Sequence, residues 1–238
     1  NWKYFNTYLK NLETNAQNKD VLFYSNKKLE TITENDSTSL LKKASLYSFK
    51  GVALFNLGNY DEAMKNHKNS LVLNNLGKDH LKIAENHKNI GNIYKKKADY
   101  NKALEYYRKS LNIRLKTHHN VFENYNNIGN IYIKKADYNK ALEYFHKSLD
   151  IAIETFGENH PNIAIIYLNL GAVYAKKGAY DKALEYFHKS LDIKIKTLQE
   201  NHPDVADIYH NIGSIYDEKT DYNKALEYYH KSLDITLK

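Results

Sequence analysis

The chain has 238 residues, a formal net charge of +7, 26% charged residues and no cysteine. The lack of cysteine excludes disulfides and thiolate metal sites, and no apolar run approaches the ~20 residues that span a bilayer. Lysine arrives with abundant asparagine, isoleucine and tyrosine, the mixture an AT-rich genome produces, so the charge alone does not point to nucleic acid. The chain begins at Asn1 with neither methionine nor an apolar leader, which leads us to expect a cytoplasmic protein or a piece of one.

Residues 1–36 carry two helical stripes, Trp2, Phe5, Leu9 and Leu12, then Val21, Leu22, Leu29 and Ile32. Shifted by 42 residues, Leu9 falls under Gly51 and Leu12 under Leu54. This segment is expected to be a degenerate helix pair acting as a cap, with polar Thr33–Ser39 as the join. From residue 37 the chain repeats itself, in units of about 37–78, 79–118, 119–157, 158–200 and 201–238. NYDEAMKNHKNSLVL at Asn59 is a loose copy of DYNKALEYYRKSLNI at Asp99. DYNKALEYFHKSLDI at Asp137, YDKALEYFHKSLDI at Tyr180 and DYNKALEYYHKSLDI at Asp221 follow. Self-similarity at a fixed period signals stacked supersecondary units that bury their core against neighbours.

Each unit predicts two helices. Ile128, Ile131 and Tyr132 make the apolar stripe of a first helix, and Ala141, Leu142, Phe145 and Leu149 that of a second. Asn59, Asp99, Asp137 and Asp221 are placed to cap the second helix, a pattern that Ala179 breaks. Gly51, Gly91, Gly129, Gly171 and Gly213 fall in mid-helix, where glycine costs ~1 kcal/mol against alanine. A recurring cost of that kind predicts another backbone passing close by. Ala63, Ala103, Ala141, Ala183 and Ala225 follow twelve residues later and are small for the same reason. Ser70, Ser110, Ser148, Ser190 and Ser232 read as close-packing residues, not nucleophiles. Tyr94, Tyr132, Tyr174 and Tyr216 should fill the space beside the contact. Glu105–Lys109, Glu143–Lys147, Glu185–Lys189 and Glu227–Lys231 stand in the favourable i, i+4 order of a solvated outer face.

These residues resemble the tetratricopeptide repeat (TPR): the unit at Tyr167 carries Leu170-Gly171, Tyr174, Ala183, Phe187 and Ser190 at the family's offsets. The resemblance covers roughly residues 37–238. The glycines, however, are spaced 40, 38, 42 and 42 residues apart, against about 34 in the common TPR. GENHPNIAIIYLNLGAVY at Gly157 and ENHPDVADIYHNIGSIY at Glu200 resemble the long repeats of kinesin light chain TPR domains. Pro161 and Pro203 would open a helix there. The shorter spacing around Gly91 is similar to spindle-orientation adaptors and Rap-type receptors. The resemblance implies an all-α fold, a right-handed α-solenoid of stacked antiparallel helix pairs, with the first helices lining a concave groove.

On that footing the groove residues are Asn89, Asn127, Asn169 and Asn211, two before each glycine, an amide row able to hold an extended backbone. Lys88, Asn92, Lys95, Asn130, Lys134 and His210 surround the row. Lys88, Lys95 and Lys134 would select acidic segments, and Asp207, Asp217 and Glu218 turn the far end acidic. A complete carboxylate clamp is not expected, because Ile165 and Asn169 hold the places of its remaining basic residues. His146, His188 and His230 recur at 42-residue intervals, about a helix diameter apart, too far to share a metal. They read as surface residues, as does the isolated pair His118-His119. No phosphate loop, zinc motif or unrepeated nucleophile constellation occurs. The sequence therefore predicts a non-catalytic, cofactor-free scaffold for a protein or peptide segment, with no membrane contact. A sensor portion of a larger protein is the alternative reading; nucleic-acid binding through Lys95-Lys96-Lys97 and Lys134-Lys135 is a weaker one. Leu226, Leu233 and Ile235 are expected to be exposed on an uncapped last helix, through truncation or for self-association.

Overall fold

The computed structural model describes residues 2–34 and 36–237; Asn1, Lys238 and Asn35, the last within the expected join, lie outside them. Twelve helices and no strand occur among the described residues. The first unit holds α1 (Trp2–Thr14), α2 (Asn18–Glu30), α3 (Ser37–Asn56), α4 (Tyr60–Leu76), α5 (His80–Lys96) and α6 (Tyr100–Lys116). The second holds α7 (Phe122–Lys134), α8 (Tyr138–Phe156), α9 (Pro161–Lys176), α10 (Tyr180–Leu198), α11 (Pro203–Glu218) and α12 (Tyr222–Thr236). Within each unit the helices pack as consecutive pairs, α3 on α4, α5 on α6, α7 on α8, α9 on α10 and α11 on α12.

Local chemistry sets every turn. The residue seven after each glycine adopts positive φ, at Gly58, Ala98, Ala136, Gly178 and Thr220. The amide three residues beyond the helix then returns to a carbonyl five back, as Asp137 N does to Tyr132 O at 2.9 Å. Asn59, Asp99, Asp137 and Asp221 each accept the N3 amide of the following helix, at 3.1–3.4 Å, and Ala179 supplies no cap. His160 and His202 begin α9 and α11 by accepting the amides of Asn162 and Asp204 on Nδ1, with proline at the first helical position. The join before α3 is shorter than expected. Asp36 caps Ser39 N at 2.9 Å, so Ser37–Ser39 are already helical.

What approaches the mid-helix glycines is chiefly a ring, not the expected backbone. The ring lies sixteen residues on, as His67, Tyr107, Phe145, Phe187 and Tyr229, and an added Cβ would sit 2.6–2.8 Å from it. A backbone contact accompanies the ring at Gly171 and Gly213, where the carbonyls of Ala183 and Ala225 come within 3.2 Å. Beside this contact the tyrosine three after the glycine stacks on the tyrosine fifteen after it. Tyr94–Tyr106, Tyr132–Tyr144, Tyr174–Tyr186 and Tyr216–Tyr228 have centroids 5.4–5.6 Å apart. Lysines lie over both rings, Lys140 over Tyr132 and Lys147 over Tyr144 at 5.4 Å, for example. The Glu–Lys pairs form at 2.5–2.6 Å. Their lysines thus face a stacked ring pair as well as water.

Serines tie the two helices of one repeat together, and histidines join one repeat to the next. Ser148 Oγ donates to Phe122 O at 2.7 Å and Ser190 Oγ to Ala164 O at 2.8 Å. His146 and His188 are not plain surface residues: they are half-buried and pack edge-on against Tyr186 and Tyr228 of the next repeat. His230 is exposed. Lys177 donates to Asn139 Oδ1 at 2.6 Å, and at the same register Lys97 meets Asp61 and Lys219 meets Asp181. On α12, Leu226 and Leu233 are exposed, but Ile235 is half-buried against the cluster around Phe187, Leu191 and Ile212.

The first repeat substitutes a buried polar network for an apolar ring. Asn86 Nδ2 donates to Ser70 Oγ (3.0 Å) and Lys82 O (2.9 Å), leaving its Oδ1 to accept from His67 Nδ1 at 3.2 Å. Burial drives the His67 pKa from 6.5 down to about 4.

Two predictions follow from this packing. Gly171→Ala should lower stability by about 1–2 kcal/mol despite alanine's better helix propensity, because overpacking outweighs the propensity gain. Adding Phe187→Leu should return part of the loss in urea unfolding, and a stabilised single variant would refute the ring contact. The second concerns pH. His67 stays neutral in the folded chain, so as pH falls below about 6.5 the unfolded chain takes the proton first. Stability is then full above that pH and drops by about 3 kcal/mol as pH approaches 4. His67→Phe should flatten the stability profile over that window, and an unchanged slope would count against the assignment.

Candidate binding site on the first helices

The glycine register fixes which side of each first helix meets water. The residue just before the glycine is fully buried in α5, α7, α9 and α11, as Ile90, Ile128, Leu170 and Ile212. Positions six, three and two before the glycine, and one, four and five after it, lie on the opposite face of a helix with 3.6 residues per turn. None of them is buried on α7, α9 or α11.

The amide row is divided in its use. Asn169 Nδ2 donates to Asn126 Oδ1 at 2.9 Å, tying α9 to α7, so that amide braces the stack. Asn127 and Asn211 are half-buried and make no side-chain hydrogen bond among the described residues. Asn92 Oδ1 accepts from the Tyr107 hydroxyl at 2.7 Å, and Asn130 Nδ2 returns to Asn126 O at 3.0 Å within its own helix. His210 is exposed, 5.2 Å from the Tyr229 ring.

The basic residues differ as much. Lys88 is held by Glu85 at 3.0 Å, and Glu85 also receives Arg114 at 3.0 Å. That triad removes Lys88 as an uncommitted cation for an acidic segment. Lys95 is half-buried, while Lys134 is exposed and pairs with nothing among the described residues. Asp207 and Asp217 are exposed, and Glu218 accepts from the Tyr180 hydroxyl at 3.2 Å.

In the first unit α1, α3 and α5 enclose a cavity of about 270 Å³, lined by Asn6, Glu13, Phe49, Val52, Glu85 and Asn89 among others. Phe49 stands two before Gly51, where the later repeats carry asparagine. Burial and the neighbouring Glu85 raise the pKa of Glu13, and Asn6 Oδ1 is buried there without a partner among the described residues. Asn89 also lines a smaller cavity of about 180 Å³ beside His67 and Asn92. No group of three or more metal-ligating side chains converges among the described residues.

The amide register drew attention to α7, α9 and α11 as equals, and α9 is the exception. Between Ile163 and Ala175 only Tyr167, Asn169 and Tyr174 are polar. Its outer face carries Ile165, 43% exposed, and half-buried Ala172, while Leu168 and Ala175 pack against the cluster around Phe187 and Ile212. The signal was available as an apolar run without helical period. Asn126, which turns Asn169 from a gripping into a bracing residue, carries no signal of its own, because its effect depends on the separation of two helices.

Comparison with known proteins agrees with this geometry. The family profile for the tetratricopeptide repeat matches residues 42–116, 120–196 and 163–238. A search of curated proteins gives no significant match. Among solved structures, BtubC (BKLC) from P. vanneervenii is similar with a TM-score of 0.78 at 18% identity, over 96% of this chain and 91% of that one. The apo form of RapI gives 0.73 at 19% identity, over 99% and 82%. The nearly identical TPR-like repeats of a putative kinesin light chain from Podosopora anserina give 0.67 at 17%, over 85% and 96%. Profile matches through all five repeats, with a ring against each mid-helix glycine, place this chain in the tetratricopeptide-repeat family.

Proposed function

We propose that the chain is a non-catalytic scaffold that holds a protein or peptide segment against the solvent faces of its first helices. One observation carries the reading. Caps, stacked tyrosines, Glu–Lys pairs and the buried Ser70, Ser148 and Ser190 find their partners within the fold, whereas Asn127 and Asn211 offer half-buried amides with none among the described residues. Amides in that condition gain most from a partner that brings donors and acceptors of its own, which a polypeptide backbone does.

The amide row grips at Asn127 and Asn211 and braces at Asn169. Selection for acidic segments rests on Lys134 in place of Lys88, since Glu85 already neutralises the latter. A nucleic-acid reading weakens for the same kind of reason, because Lys97, in one of the basic turns, is tied to Asp61. Among the described residues no helix is long and apolar enough to cross a membrane.

Peptides selected on the intact chain from a random display library test the reading. Asn127→Ala with Asn211→Ala should weaken them about tenfold, the loss expected for one or two unreplaced hydrogen bonds, with helicity unchanged by circular dichroism. Selected peptides indifferent to the double substitution would overturn it.

A further inference from the structure

The cavity among α1, α3 and α5 brings together side chains that the scaffold reading leaves unused. From α1 it takes Asn6, Lys10 and Glu13, a stripe at i, i+4 and i+7. Phe49 and Val52 of α3 supply apolar wall, and Lys82 and Glu85 come from α5. At about 270 Å³ it lies just below the ~300–1,000 Å³ of clefts for drug-sized ligands. About nine or ten non-hydrogen atoms fill it, counting ~30 Å³ for each as for a water in the liquid.

Two acceptors there lack donors. Glu13 is half-buried and pairs with nothing among the described residues, and Asn6 Oδ1 is buried without a hydrogen-bond partner among them. Leaving such groups unanswered costs free energy that a ligand carrying N–H donors recovers. The acceptors stand about 10 Å apart along α1, at 1.5 Å per residue. That distance fits two hydrogen bonds of ~3 Å and about 4–5 Å between the donors of the ligand.

The charges gather at the Glu13 end. Glu85 is answered by Lys88 and Arg114, each at 3.0 Å, which leaves Glu13 as the uncompensated acid. Lys10 and Lys82 are exposed and unpaired among the described residues. Both act on Glu13, opposing the rise in its pKa that burial and then Glu85 cause. One acid beside two bases suits a ligand that carries both signs on neighbouring atoms. A plain cation or a plain anion leaves one sign unanswered. Asn6 is uncharged, so a neutral donor there avoids burying a second unpaired charge.

We infer that the cavity binds a free α-amino acid whose side chain ends in an amide, with glutamine of the right size. The ammonium group meets Glu13, and the α-carboxylate meets Lys10 and Lys82. The side chain passes Phe49 and Val52, and its amide donates to Asn6 Oδ1. The site uses neither Asn127 nor Asn211, so it goes beyond the scaffold reading and does not depend on it.

Isothermal titration calorimetry of the intact chain with four small molecules tests it. L-Glutamine should bind saturably. N-Acetylglutamine lacks the ammonium group, glutaminamide the α-carboxylate and leucine the side-chain amide, and each should bind about tenfold or more weaker. Three variants assign the contacts. Glu13→Gln should erase the advantage of glutamine over N-acetylglutamine. Lys10→Gln with Lys82→Gln should erase that over glutaminamide, and Asn6→Leu that over leucine. These side chains make no hydrogen bond or ion pair among the described residues, so circular dichroism should show the helices unchanged. No saturable binding of glutamine, or equal binding of all four molecules, would overturn the site. Glutaminamide binding as tightly as glutamine would mean a pocket for an ammonium group alone and would overturn the amino-acid reading. Indifference of glutamine to Glu13→Gln would overturn it too, by placing the binding elsewhere. None of these outcomes touches the scaffold reading, whose library peptides report on Asn127 and Asn211.

Discussion

The contact between a mid-helix glycine and a ring sixteen residues later governs how each helix pair closes. The ring lies against the glycine Cα where any side chain would begin, so the two helices approach at a depth that no other residue at that position allows. The tyrosine stack, the lysines above it and the buried serine all occupy places set by that depth. The first two pairs show the limits of the constraint. In the second, His67 serves as the ring and needs Asn86, itself held by Ser70, to satisfy its nitrogen. In the first, Leu9 stands at the glycine register and Ser25 sixteen residues later, both fully buried. Bulk has moved from the second helix to the first, at the cost of a serine hydroxyl with no partner among the described residues. Volume across the contact is what has to be kept, and side-chain identity is secondary.

Much of this was legible in the sequence because it is local and repeated. Turn residues, N-caps and the Glu–Lys pairs act within a few positions of one another. Five copies separate a required residue from an incidental one. The helix pairs and their register follow from Gly129, Ala141 and Phe145 and their equivalents. The ring contact itself was misread. Glycine signals a close approach, but its sequence position does not say whether backbone or ring makes it, and the answer depends on how far Phe187 reaches across to α9.

The candidate site was less legible, for a physical reason. Whether Asn169 grips a ligand or braces a helix depends on Asn126, 43 residues earlier. Whether Lys88 can attract a carboxylate depends on Glu85 and, through it, on Arg114. Side chains of the same type at the same register thus have different availability, fixed by partners that local spacing cannot reveal. The histidines illustrate the point in reverse. His146 and His188 read as surface residues in isolation and become joints between repeats once Tyr186 and Tyr228 are placed beside them.

Five copies of one unit also provide an internal comparison that separates packing from recognition. The position before the glycine is Ile90, Ile128, Leu170 and Ile212, aliphatic wherever it is buried by the helices around it. Five residues earlier, on the opposite face, the third to fifth repeats hold Glu123, Ile165 and Asp207, three chemistries on the same backbone. Variation at that register leaves the glycine contact and the tyrosine stack untouched, so the fold places little demand on what stands there. An isoleucine costs more than a glutamate on a face left open to water, and it is the residue whose presence the fold does not explain. Within a scaffold of nearly identical units, the positions free to differ can carry specificity, and α9 is where their departure from polarity is greatest.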